Sequence, residues 1–368
     1  MPGPGLRLCQ DFYHQAVAPL LAHIEHSAAL IGTGSEILGF DDQVSTDHDF
    51  APRLQVFLPP GDNPAPAHAA LRALPRTFRG HPVFLPGAAP DPAATTGAAP
   101  DQVAHRVLVT TAEAYFTAWL GVDPAAGLSL ADWLLTPTQI LAGLTGGGVF
   151  HDPGHHLAAR RDALAWYPDD IWRYAMAAGW LRVSQEQAFI GRAGSRGDDL
   201  GAAIVTARVA RDLMRLAFLA ERRWAPYSKW FDHGFQQLDL AAEMRPHLVR
   251  ALTAPQWREK ETALCAAGSV LGEATNRLAL AAPVDPAPRR FHDRDIQVVD
   301  AEGFTTALTD AITAPDVCAL LDRLGRRSRS HLGSLPGTVD QAADSVDVLT
   351  NRDRCRALAP ALGLLSAA

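Results

Sequence analysis

GTGSEILGFDDQVSTDHDF, Gly32 to Phe50, decides how this chain reads. It follows an apolar run, Ala28 to Ile31, and leads into FAPRLQVFL, Phe50 to Leu58, which alternates as a strand does. Gly34 lets backbone N–H groups approach an anion without a Cβ in the way, and the Ser35 hydroxyl adds a hydrogen bond. Gly34 and Ser35 are therefore the candidate grip on a phosphate tail. Further on, Asp47 and Asp49 flank His48. In an extended chain they fall on the same side about 7 Å apart in Cα, while His48 faces the other way into a core or hydrogen-bonding role. A hard cation such as Mg²⁺, or Mn²⁺ in its place, takes few carboxylates and completes its shell with triphosphate oxygens and water. Asp47 and Asp49 are the candidate metal ligands and catalytic carboxylates.

Outward from this stretch, residues 6 to 26 space apolar side chains at helical intervals, with Pro19 the one interruption. His81 to Leu85 and Val107 to Thr111 read as extended, and PGAAPDPAATTGAAPD between them reads as a loop. Beyond Leu130 the pattern turns helical over Ala131–Leu141, Ile171–Ile190, Asp199–Arg223, Phe235–Leu252 and Trp257–Ala281. The remainder suggests a short strand at Asp295–Val299, helices at Ala301–Ile312 and Pro315–Leu324, and a loop, GSLPGTVDQAADSVDVL. The class expected is α+β, with residues 1–125 carrying a short mixed sheet and residues 126–368 mostly helical. A length of 368 residues suits two domains, since single cores stop growing at about 250–300.

Composition bounds the function. Hydrophobic residues at 48% and charged residues at 20% describe a folding chain. The net charge of -7 argues against a nucleic-acid-coating protein. Cys9, Cys265, Cys318 and Cys355 are scattered without a CxxC pair, which suits a reducing cytoplasm. With no basic-then-apolar leader and no run of about 18 apolar residues, neither export nor a membrane anchor is expected.

The Gly-Ser turn followed by Asp-x-Asp resembles the signature of the nucleotidyltransferase superfamily, which includes aminoglycoside nucleotidyltransferases. The same stretch together with DWLLTPTQILAGLTGG, GDDLGAAIVTARVARDLMRLAFL, APYSKWF and VDQAADSVDVL is similar to the DUF4037 family, a likeness that runs over most of the chain. The resemblance implies a nucleotidyltransferase-fold α/β domain followed by a helical substrate-binding domain. The motif points to nucleotidyl transfer, and the leading expectation is movement of a nucleoside monophosphate, adenylate by default, from a triphosphate such as ATP to a small-molecule acceptor. Active superfamily members usually place a third carboxylate on a later strand. RVLVTT holds none, so the general base is expected from Glu113 just beyond it, or from Glu186, Asp198 or Asp199 of the helical part. Loss of that base would leave a nucleotide-binding sensor or interaction protein.

Supporting residues have plain readings beside functional ones. Arg208, Arg211 and Arg215 form a positive stripe on one helix, able to meet triphosphate or to stand as a solvated face. Arg192, Tyr227 and Lys229 are candidate nucleotide contacts, with Trp230 beside them either stacking on a base or packing between helices. Asp198 or Asp199 suits a helix N-cap. His151, His155 and His156 read as a surface loop, Gly146–Gly148 as a turn, and Asp340, Asp344 and Asp347 as caps or ion-pair partners.

Overall fold

The computed structural model describes residues 3–42, 51–85, 104–325 and 334–364. The chain is α+β and divides into two compact units. Met1–Asp132 with Gln139–Ala165 makes one, and Trp133–Thr138 with Trp166–Ala368 makes the other.

The first unit opens with α1 (Pro4–Phe12), which runs through a π-turn segment (Tyr13–Val17) into α2 (Ala18–Leu20). The wide turn falls just before Pro19, whose ring and missing N–H forbid regular α-helical bonding there. A four-stranded mixed sheet follows, built from β1 (Ser27–Leu30), β2 (Leu54–Leu58), β7 (Val107–Thr111) and β8 (Gly148–His151) in the order β7-β2-β1-β8. β1 is antiparallel to both its neighbours, and β2 is parallel to β7. Every residue of β1 and β2 is buried, so these strands are covered on both faces. Phe12, Val17, Leu21, Val56, Leu71 and Val109 belong to the core on one side. α3 (Ser35–Leu38) and α4 (Ala65–Leu71) lie on either side of β2 in the chain.

The extended piece expected at His81–Leu85 is two short strands with different partners. β4 (His81–Pro82) pairs with β3 (Thr77–Phe78), and β5 (Phe84–Leu85) pairs with β6 (Ala104–His105). α5 (Ala112–Leu120) starts on a Thr111 cap, whose Oγ1 accepts from the Ala114 N–H at 3.1 Å. The helix expected over 131–141 is broken at Pro137 into α6 (Leu130–Leu135) and α7 (Thr138–Thr145). After β8 comes α8 (His156–Ala163).

This unit reaches past residue 125 because β8 supplies the fourth strand. Its entry depends on Gly147, at φ +64°, where a Cβ would stand 1.9 Å from the Leu30 carbonyl oxygen. The Gly146–Gly148 turn thus serves as a tight approach to β1. The three histidines expected in a loop flank the β8–α8 turn, where Asp152 accepts from the Ser27 hydroxyl and the Leu157 and Ala158 N–H groups.

The second unit is helical. Its elements are α9 (Asp169–Glu186), α10 (Phe189–Gly194), α11 (Asp199–Ala220), α12 (Phe231–Phe235), α13 (Ala241–Thr253), α14 (Trp257–Arg277), α15 (Ala301–Asp310) and α16 (Pro315–Arg323). A two-stranded ribbon, β9 (Arg289–Arg290) with β10 (Gln297–Val298), precedes α15. α9 is buried around most of its surface, as expected of a central helix. Trp180 stacks on Phe304 with centroids 4.5 Å apart, and Trp172 donates from its indole N–H to the Leu219 carbonyl at 2.9 Å. Asp198 caps α11 by accepting from the Gly201 N–H at 2.7 Å, which settles its structural role.

The segment read as a loop near the C-terminus holds α17 (Val339–Ala342) and α18 (Val346–Leu349), and α19 (Arg352–Arg356) follows. Thr338 and Gln341 form a capping box at the start of α17. Asp340 accepts from the Thr138 N–H at 2.9 Å, and Asp344 pairs with Arg211 at 2.7 Å, the cap and the ion pair expected of these acids. Among the described residues no helix is long and apolar enough to cross a membrane.

Candidate functional site

The turn after β1 is held from several directions. Ile31, its first residue, has both backbone groups bonded by the Gln55 side-chain amide, N–H to Oε1 and Nε2 to the carbonyl, each at 3.1 Å. The Tyr115 hydroxyl, on α5, donates to the same carbonyl at 2.9 Å. Gly32 sits at φ +106° and donates to the Gly143 carbonyl at 3.0 Å. A Cβ on Gly143 would come within 2.0 Å of the Gly32 oxygen, so this contact between backbones needs glycine.

Gly34 is at φ +144°, a conformation a side-chain-bearing residue avoids. Ser35 then opens α3, which closes on Gly39 in the left-handed region. Asp41, just beyond, accepts from the Gly5 N–H at 2.6 Å at the start of α1.

Arg53, two residues before Gln55, reaches back over this turn. Its Nη2 donates to the Thr33 carbonyl at 2.5 Å and to Glu36 Oε1 at 2.6 Å, and its Nε donates to the same carboxylate oxygen at 3.2 Å. Burial works against the guanidinium charge, but the Glu36 carboxylate more than offsets it and keeps Arg53 above its ordinary value. The Arg53 N–H lies 3.5 Å from Cys9 Sγ, and burial pushes that thiol up to about 11. Arg53, Gln55, Tyr115 and Gly143 were not singled out in the sequence. Their signal was weak: a glutamine inside an apolar strand run, and an arginine at its start.

Of the residues singled out, Gly34 and Ser35 stand at the centre of this turn. Asp47, His48 and Asp49 lie outside the described residues. β7 runs parallel to β2 in the register Leu54↔Val107 to Leu58↔Thr111 and carries no carboxylate. Glu113 is exposed in the first turn of α5. It is two residues from Tyr115, about 200° around the helix, so it points away from the face that meets Ile31.

In the helical unit the structure pairs two of the candidates with each other. Arg208 lies 3.1 Å from Glu186, so the proposed base and the proposed triphosphate contact form an ion pair. Arg211 bonds both oxygens of Asp344, while burial works against the Arg215 charge and half-buried Asp340 favours it. Two of the three arginines, Arg208 and Arg211, thus have carboxylate partners. Arg192 stacks on Phe189 at 5.2 Å and Lys229 on Trp230 at 4.9 Å, while the Tyr227 carbonyl accepts from the Trp230 N–H. These three residues have local aromatic or turn roles and are not gathered by any contact described. Asp199 occupies the first turn of α11. Among the described residues no three His, Cys, Asp or Glu side chains cluster as a metal site.

Residues 133–231 match the family described as a domain of unknown function, DUF4037. The matched stretch is 99 of the chain's 368 residues. Comparison with curated proteins and with solved structures found no match. The DUF4037 match begins at Trp133 and ends at Phe231, taking in α7, β8, the polar turn before α11 and the APYSKWF segment. It thus covers a smaller part of the chain than the sequence resemblance implied, and the turn at Gly32–Ser35 and the Asp47–Asp49 pair precede it.

Proposed function

We propose that this protein is a metal-dependent nucleotidyltransferase, moving a nucleoside monophosphate, AMP by default, from a triphosphate to a small-molecule acceptor with release of pyrophosphate. The observation that carries the reading is the clamped turn Ile31–Ser35. It is a glycine turn at a strand end, fixed by Gln55, Tyr115 and Gly143 and overhung by Arg53. Nucleotidyl transfer asks mainly for positioning and charge neutralisation, and a rigid turn with a guanidinium beside it supplies both.

The donor chemistry of Asp47 and Asp49, two hard oxygen ligands ahead of β2, fits Mg²⁺ or Mn²⁺. Such an ion would neutralise phosphate charge between the nucleotide and these two side chains. Gly34 and Ser35 would hold the phosphates, and the helical unit would shape the acceptor pocket.

The decisive experiment incubates purified full-length protein with each labelled nucleoside triphosphate, Mg²⁺ and a metabolite pool. Magnesium-dependent pyrophosphate release is expected, and Asp47→Ala/Asp49→Ala is expected to abolish it. No release with any mixture would count against catalysis.

A second reading has its own support. β7 offers no acid, Glu113 faces away, and Glu186 is engaged by Arg208. A nucleotide-binding sensor on the same scaffold would then bind ATP with Mg²⁺, lose that binding in the double-alanine variant, and release no pyrophosphate.

A further inference from the structure

Directly above Gly34 the space is already taken by side chains. A Cβ at that position would stand 2.5 and 2.6 Å from the two Glu36 carboxylate oxygens and 2.7 Å from Arg53 Nη2. The backbone angle is what requires glycine here, and the ion pair seated on it ends in flexible side chains that can shift. The pair is lopsided. Arg53 Nε and Nη2 both bond the same Glu36 oxygen, and Arg53 Nη1 donates to no described residue. Both side chains remain partly open to solvent, at 30% for Arg53 and 20% for Glu36. A carboxylate and a phosphate are both oxyanions that a guanidinium binds through paired N–H groups, and the phosphate carries more charge.

We infer that Glu36 is an internal substitute for the anion this turn receives. A phosphate chain binds by displacing the Glu36 carboxylate from Arg53, which makes Arg53 a positioning residue for the triphosphate and the Glu36–Arg53 pair a latch on the turn. The inference rests on the nucleotide reading above and deepens it. Thr33 gives the swinging guanidinium its anchor, because the Nη2 bond to the Thr33 carbonyl keeps Arg53 over the turn when Glu36 leaves. The pair keeps enough exposure for a polyanion to reach it and compete with Glu36 for the guanidinium.

Calorimetric titration of the full chain with inorganic tripolyphosphate, and separately with ATP and Mg²⁺, tests this. Glu36→Gln keeps a hydrogen-bonding side chain but removes the competing charge, and should bind tripolyphosphate about 3- to 5-fold tighter. Arg53→Gln should weaken binding at least about 10-fold, with Arg53→Lys between it and the parent. Thermal melts identify any variant that has lost its fold, and Arg53→Lys keeps the charge should Arg53→Gln unfold. Unchanged or weaker binding by Glu36→Gln overturns the latch, as does unchanged binding by folded Arg53→Gln. If neither the parent nor Glu36→Gln binds either probe, the nucleotide reading itself falls. A parent that binds with a silent Glu36→Gln sinks only this inference.

Discussion

Gln55 does for Ile31 what a neighbouring strand would do, satisfying an N–H and a carbonyl with one amide group. It is 4% exposed, so removing it leaves the Ile31 N–H without its partner in a dry place. Gln55→Leu should cost about 1–3 kcal/mol, measured as a lowered urea midpoint with unchanged slope. It should also loosen the turn, weakening tripolyphosphate binding beyond what lost stability explains.

Gly34 and Ser35 were legible because few residue types serve such a turn. Gln55 was not. Alternation along FAPRLQVFL assigns every second residue outward, whereas β2 is buried along its whole length and its one polar side chain faces another backbone. Arg53 was hidden for a related reason: its partners Thr33 and Glu36 are 20 and 17 residues away, beyond what any local pattern encodes.

At the scale of elements, helix starts and stops were read well where a cap or a proline sets them, as at Asp198 and Pro315. Failures came where tertiary partners set the boundary. α9 stops at Glu186 and α10 restarts at Phe189, with Gln187 between them bonding both backbone groups of Val299. No periodicity announces that.

Asp170 shows the same long-range bonding with a titratable group. It accepts from the Thr313 and Ala314 N–H groups at the start of α16 and from Arg173. Burial would raise its carboxyl, but these hydrogen bonds outweigh it and hold Asp170 below the ordinary carboxylate value. A carboxylate depressed in the folded state stabilises above its unfolded pKa of about 3.9, and loses that contribution as pH falls through the folded value. Asp170→Asn should therefore be less stable than the parent by about 1–3 kcal/mol at pH 7. The gap should close progressively below about pH 4, read from urea melts across pH 2–8.

On the scale of the whole molecule, two domains were expected with a border near residue 125. The compact units instead exchange chain more than once, because β8 belongs to the sheet while Trp133–Thr138 belongs to the helical unit. Trp133 lies among Tyr167 and Trp224, aromatic rings far along the sequence, and so joins the helical core. The C-terminal segment belongs to the same unit and has a buried cluster of its own, Val339, Leu349 and Cys355, with Leu335 and Leu362 also buried. Burying a large apolar side chain is worth about 1.5–3 kcal/mol. Truncation after Gly325 should thus remove several such contributions and the Asp340 bond to Thr138. The shortened protein is expected to lose cooperative unfolding by circular dichroism, and a sharp melt at the parent temperature would refute this.

The Asp340 bond to Thr138 also bears on how the chain is made. The two residues are 202 positions apart. At about 5–20 residues per second, a ribosome delivers Asp340 roughly 10–40 s after Thr138. The helical unit therefore spends most of its synthesis without the acid that caps Thr138.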